Sequence, residues 1–396
     1  MTREYVFVLG LLLGVLVLLS FLSASSETMT ALVRIIYRAT GTSPTAPLYG
    51  SYSAENLVSL TDYTKASTPE VTLDELETMR MISQLGLRRT MEHVANDPAY
   101  EGSEQESMCH GAAHVVGSAA FDLLGIEALE QCTTGCFSGC YHGALQRMGV
   151  RNRSDASTLM EELKTLCGNR ATAFEREQCF HGAGHGILLQ ERYELNSALS
   201  KCRDIGAEDD MHPCYRGVFM EFYGGDGNAE RMKKEELHFP CNLFDADELI
   251  QDACYRLQAT YFLKVYDNDF AQASDECLRA PSSMQSTCFA RLGQLSGADT
   301  KNPPGNTEAF CATIPSKYYD NCIRGGLRQE MNFYGIDPEG RAGSFCKALA
   351  NPEGKRVCYE QYMSDLRSLF LEQEPRLFIC SLFEPPYDEL CKTKQQ

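Results

Sequence analysis

The sequence predicts an all-α protein in which about eight to nine helical hairpins stack into a solenoid that could curve into a ring. A cysteine-led motif recurs at steps of 31 to 40 residues, a period typical of arrays of one supersecondary unit. A second cysteine stands 11 to 13 residues before most copies. The motif cysteines are Cys109, Cys140, Cys179, Cys214, Cys254, Cys288, Cys322, Cys358 and Cys391.

The N-terminus carries an unbroken apolar run, Tyr5–Leu22, that is just long enough to span a bilayer as a helix. Arg3 precedes the run and the next basic residue is Arg34, which favours an N-terminus on the inner side. We therefore expect a single-pass anchor in the cell membrane. A cleaved signal peptide is the alternative, because Ser23-Ala-Ser25 resembles a cleavage site.

Composition then divides the chain into three parts: an anchor at 1–22, a Ser/Thr/Pro-rich stalk at 23–70 and the cysteine-paired repeat domain at 71–396. The formal charge of −18 argues against a nucleic-acid partner, since phosphate binding needs a basic face. Eighteen cysteines without Cys-x-x-Cys zinc spacing favour an oxidising compartment, and so place the repeat domain on the extracytoplasmic side.

Each repeat is expected to be an αα-hairpin, with one cysteine near the end of the first helix and the other at the start of the second. Packed helices bring such positions within disulfide distance. The predicted pairs are Cys167/Cys179, Cys202/Cys214, Cys241/Cys254, Cys277/Cys288, Cys311/Cys322, Cys346/Cys358 and Cys380/Cys391. The period does not fix the pairing of the remaining four cysteines. By analogy with the other repeats, we expect Cys132 to pair with Cys140 and Cys109 to pair with Cys136.

Histidines occupy matching positions in the first three motif copies. When the copies are aligned on glycine, His110, His142 and His181 precede it, and His114 and His185 follow four residues after a histidine. Residues at i and i+4 are neighbours on one helix face, so each pair could present two imidazoles to one metal. We expect the five to converge on one inner wall, and His93 could face the same space.

These histidines predict a site for a transition metal, and zinc, copper and iron all suit imidazole ligands. An open coordination position would allow water activation or oxygen chemistry, but storage or transfer of the metal fits equally, and no catalytic residue is identifiable. The alternative is a structural role for each histidine, in a disulfide-stapled helical scaffold that binds a protein or glycan without metal.

In later copies arginine takes the histidine position, at Arg216, Arg256 and Arg324. Arginines on the inner wall would suit a small anionic ligand with carboxylate or phosphate groups, and Arg216 and Arg256 are the predicted contacts. Pairing with acidic neighbours such as Glu221 or Asp252 is the competing and slightly favoured interpretation.

Overall fold

The computed structural model describes residues 75–95, 103–151, 156–224, 231–233, 235–298 and 302–396. The predicted anchor and stalk lie outside the described residues. All regular structure in the described ranges is helical, as the sequence predicts. The α-helices are α1 Glu75–Leu85, α2 Leu87–Ala95, α3 Ser103–Leu124, α4 Ala128–Gln131, α5 Gly139–Arg151, α6 Ala156–Gly168, α7 Ala173–Gln190, α8 Leu195–Arg203, α9 Glu208–Gly224, α10 Glu248–Val265, α11 Phe270–Arg279, α12 Gln285–Gly297, α13 Pro303–Cys311, α14 Tyr319–Tyr334, α15 Gly343–Ala348, α16 Pro352–Leu369, α17 Gln373–Ser381 and α18 Tyr387–Gln395.

Capping residues in the sequence start several of these helices. Thr172 and Glu175 form a reciprocal capping box at α7, which satisfies backbone N–H groups that have no partner within the helix. Asp247 caps α10 through the Ile250 N–H. At α16 the cap is Asn351, and proline follows at the first helical position, where its missing N–H costs nothing.

The helices that carry the motif cysteines (hereafter the motif helices) pack each against the next along the chain. They are α3, α5, α7, α9, α10, α12, α14, α16 and α18. Their cysteines are buried. The shorter helices between them pack on the adjoining motif helices, so each repeat is one short helix or turn followed by one motif helix.

All eighteen cysteines are paired in nine disulfides, and none is free. Seven bonds are the predicted in-repeat pairs, with sequence separations of 11 to 13 residues. The other two are Cys109–Cys136 and Cys132–Cys140. The first cysteine usually lies near the end of the short helix, but Cys241 lies in a single 3-10 turn. The second lies within the first two turns of the motif helix in most repeats.

The array bends back until distant repeats touch. The Ile336 N–H donates to Thr134 Oγ1 at 2.8 Å across 202 residues, and Phe137 lies 5.5 Å from Phe333 between ring centroids. Glu177 on α7 forms an ion pair with Arg328 on α14. These contacts place α7 and α14, the third and seventh motif helices, on opposite sides of one central space.

The motif glycine is required by the close approach of neighbouring motif helices. A Cβ on Gly143 would lie 2.0 Å from the His114 carbonyl oxygen, and one on Gly217 would lie 1.9 Å from that of His181. Any side chain there would overlap the facing backbone, so glycine is the residue that fits. The residue before each of these glycines, His142 or Arg216, therefore lies close to the preceding motif helix.

One described stretch, Cys109–Gln131, is helical, long and apolar enough to cross a membrane by length and composition. However, 78% of that window is buried inside the protein, as in the core helix of a folded domain. On α1 and α2, Met79, Ile82 and Leu87 are buried, whereas Leu85 is exposed.

Candidate metal centre

Three consecutive motif helices bring the five predicted histidines together. His110 and His114 lie on α3, His142 on α5, and His181 and His185 on α7. The last four are buried and His110 is half-buried.

The five rings form two triads that share one member. His110, His114 and His142 make the first triad, and His142, His181 and His185 make the second; within each, the ligand nitrogens lie within 4.8 Å of one another. The ring centroid of His142 is 5.2 and 5.3 Å from the two rings of α3, and 5.1 and 4.9 Å from the two rings of α7. Each triad is a group of buried imidazoles that can hold a metal ion.

The Nδ1 atoms of three histidines face hydrogen-bond acceptors. His110 Nδ1 lies 3.0 Å from the Cys136 carbonyl oxygen, and His185 Nδ1 lies 3.0 Å from Glu221 Oε2. His114 Nδ1 lies 3.0 Å from Gln146 Oε1. The Gln146 amide nitrogen donates to the Glu221 carboxylate, which fixes the amide's orientation. Acceptor-only partners require the proton on Nδ1, so Nε2 of each neutral ring carries a lone pair.

The Nε2 lone pairs of His110 and His114 point toward each other, whereas the tautomer of His181 is not fixed, because its Nδ1 has no hydrogen-bond partner among the described residues. His110 Nε2 and His114 Nε2 are 3.1 Å apart, and His181 Nε2 and His185 Nε2 are 3.4 Å apart. Two nitrogens bound at about 2.0–2.1 Å to a tetrahedral zinc ion lie about 3.3 Å apart, so both separations match the edge of a coordination tetrahedron. Two facing lone pairs repel unless a cation lies between them.

A proton is a poor candidate for that cation at neutral pH. Burial lowers the pKa of His110 to about 4, against a smaller opposing effect of its bond to the Cys136 carbonyl. Burial also holds the pKa values of His114, His142 and His181 well below the ordinary histidine value, with further lowering by neighbouring histidines. His110, His114, His142 and His181 are therefore neutral imidazoles, the protonation state that binds metals.

Around the histidines, Glu221 on α9 organises the second layer of contacts. It is fully buried and accepts hydrogen bonds from His185, from Gln146 and, at 2.9 Å, from the Tyr193 hydroxyl. The chain His114–Gln146–Glu221–His185 thus links the two triads. Carboxylates and amides bonded to the outer nitrogen of a histidine are the usual support of metal-binding imidazoles.

A cavity of about 470 Å³ adjoins the histidines. His110, His142 and His181 form part of its lining, and four arginines form another part: Arg216, Arg256, Arg291 and Arg328. No carboxylate is among the described residues that line it. A second cavity of about 1000 Å³ shares three of these arginines and includes Arg324 and several carboxylates.

The arginines have acidic partners only in part. Glu177 pairs with both Arg216 and Arg328; burial opposes its ionisation, but the two guanidinium groups outweigh burial and hold its pKa well below the usual range. Arg256 lies 3.7 Å from Asp252. Burial, reinforced by Arg256 and Arg216, lowers the pKa of Arg291 to about 10. Asp252 thus contacts an arginine, but one on the same helix and not across repeats. Glu221 bonds the histidine cluster, and Glu177 is the acidic partner from another repeat.

The other described histidines lie elsewhere. His93 is exposed on α2, so the expectation that it faces the cluster is wrong. His212 lies 2.8 Å from Asp252 and His238 lies 3.3 Å from Glu276, both between Nε2 and a carboxylate oxygen.

Sequence reasoning missed Gln146, Arg291 and Arg328, and it considered Glu221 as a partner of arginine and not of histidine. Gln146 and Arg328 occupy the position four residues after the aligned histidine or arginine, where His114 and His185 stand in their own repeats. A comparison of this position across all the repeats identifies both Gln146 and Arg328. Glu221 and Arg291 have no such signal, since they lie one residue away from the register positions.

Comparison with known proteins identified no matching family model, no similar curated protein and no similar solved structure. The fold and the site therefore define the class on their own: an all-helical, disulfide-linked repeat protein with two buried histidine triads that can hold metal.

Proposed function

We propose that this chain is a membrane-anchored, extracytoplasmic metal-binding protein whose site lies on the inner face of an α-solenoid. One observation carries the proposal: the Nε2 lone pairs of His110 and His114 face each other at 3.1 Å, and the Nδ1 atom of each ring already meets an acceptor. Mere packing of histidines does not require this arrangement, and a structural hydrogen-bond network would pair a donor with an acceptor. Zinc, copper and iron are the candidate ions, because all three suit imidazole nitrogen.

The arginine-lined cavity suggests that the site also takes an anionic ligand. Four guanidinium groups face the same space as three of the histidines, and no described lining residue is acidic. In a chain of net charge −18, such a lining favours a small molecule bearing carboxylate or phosphate groups, which arginine recognises with paired N–H donors. A bound metal ion would supply Lewis-acid or redox chemistry next to this ligand, and Arg216 and Arg256 would orient it.

The extracytoplasmic location is supported by the nine disulfides, since such a complement persists in oxidising compartments. Anchoring is supported by the apolar run Tyr5–Leu22. Retention of the full chain in the membrane after carbonate extraction, with the repeat domain open to external protease, is the expected result. Release of the protein by carbonate would refute anchoring.

Metal content tests the central proposal. The full chain, purified in detergent without chelator or histidine tag, should carry stoichiometric zinc, copper or iron by elemental analysis. His142→Ala removes the ligand common to both triads and should lose most of that metal, whereas His93→Ala alters an exposed histidine and should retain it. Both variants should keep nine disulfides by thiol titration. A well-folded parent that takes up none of the three ions would refute the proposal and favour a scaffold for a protein or glycan.

The anion site has its own test. Arg256→Gln and Arg291→Gln together should abolish saturable binding of inorganic phosphate or acetate by the metal-loaded protein without changing its metal content. Arg279, an exposed arginine outside the cavity, provides the control as Arg279→Gln. Equal binding by parent and double variant would refute the assignment.

A further inference from the structure

The central position of His142 has a consequence for how many ions the cluster holds. Its ring lies at nearly the same distance from both histidine pairs, and both triads are incomplete without it. A single ion bound by His142, His181 and His185 would leave the facing Nε2 lone pairs of His110 and His114 without a cation.

Both ring nitrogens of His142 are buried, and neither has a hydrogen-bond partner among the described residues. This distinguishes His142 from His110, His114 and His185, each of which has an acceptor at Nδ1. If His142 bound one ion only, its second nitrogen would stay buried and unpaired, which is unfavourable for a polar atom removed from water. A ring that coordinates through both nitrogens leaves neither unsatisfied.

We propose that the five histidines form a dinuclear metal centre in which the imidazole of His142 bridges the two ions. His110 and His114 complete the coordination of one ion, and His181 and His185 complete that of the other. The inference rests on the proposed metal-binding function and deepens it.

The bridge has a defined proton balance. Neutral imidazole carries one N–H, so binding of the second ion at that nitrogen displaces the proton to solvent and leaves a bridging imidazolate. Its negative charge, together with that of the buried Glu221, partly offsets the charge of two divalent ions. Hydrogen bonds from His114 through Gln146 and Glu221 to His185 then hold the two triads in a fixed position relative to each other.

Copper(II) titration of the metal-free full chain tests the proposal. The parent should bind two equivalents, and its electron paramagnetic resonance signal should fall well below that of two isolated ions, because spins coupled through a bridge cancel. His110→Ala/His114→Ala and His181→Ala/His185→Ala should each bind one equivalent with a full uncoupled signal. His212→Ala, outside the cluster, should behave like the parent.

The outcomes separate the two proposals. No uptake of copper, zinc or iron by the folded parent would refute the metal-binding function itself. One equivalent in the parent would leave that function standing and overturn the dinuclear centre. Two equivalents with an uncoupled signal would overturn the bridge. His142→Gln keeps side-chain bulk; it should lose the coupling, and a coupled signal in that variant would also contradict the assignment.

Discussion

Gly217→Ala tests whether close helix contact positions the metal site. The added Cβ would lie 1.9 Å from the His181 carbonyl oxygen. A preferred non-bonded separation of about 3.5 Å therefore requires α7 and α9 to move apart locally by about 1.5 Å. The obstacle is backbone, which has no rotamer to change.

The expected loss of stability follows from two opposing effects. Overpacking costs about 1–3 kcal/mol, and a rigid backbone contact lies at the upper end of that range. Alanine regains about 1 kcal/mol over glycine in a helix interior. We expect the free energy of unfolding to fall by about 2 kcal/mol, measured from the urea midpoint with all disulfides intact.

The same substitution should weaken metal binding. Glu221 lies one turn further along α9, so separation of the helices withdraws its carboxylate from His185. Loss of such a support costs about 10–100-fold in metal affinity, measurable by competition with a chelator. Gly168→Ala is the control, because nothing lies within 4 Å of its Cβ position. Unchanged stability and affinity in Gly217→Ala would refute the reasoning.

Three further substitutions test separate parts of the structure. Glu221→Gln removes the charge behind His185 and should lower metal affinity about 10–100-fold, by chelator competition; full affinity would contradict its supporting role. Cys202→Ser/Cys214→Ser opens a loop of separation 12 and should lower the unfolding free energy by about 2–3 kcal/mol, whereas an unchanged urea midpoint would exclude this contribution. Glu177→Gln should destabilise the protein most above about pH 4.3, the usual glutamate pKa. Because the folded pKa of Glu177 is depressed, its stabilising contribution is complete above the unfolded value and is lost as pH falls below it. The difference between the urea midpoints of variant and parent should therefore shrink from pH 5 to pH 3, and a growing difference would contradict the sign.

Much of the fold follows from the chain's periodicity. Regular spacing of the cysteines fixes both the repeat and the partners within it, because a bond across 11 to 13 residues closes one hairpin locally. The i, i+4 spacing likewise places His110 beside His114, and His181 beside His185, on single helix faces.

Other features depend on distances between helices, which local sequence does not encode. Glu221 reaches His185 only because Gly217 lets α9 approach α7. Arg328 meets Glu177 across 151 residues because the array curves back, and that curvature sums small rotations at every repeat. The position of His93 was predicted wrongly, because a single polar residue near the start of a repeat does not indicate which way its side chain faces.

Anomalous X-ray scattering from crystals of the metal-loaded chain tests the central claim most directly. Data at the absorption edge of the bound metal should show peaks about 2.0–2.2 Å from histidine nitrogens, one beside His110 and His114 and one beside His181 and His185. Peaks confined to other residues, or a fully ordered cluster with no peak after exposure to zinc, copper and iron, would contradict it.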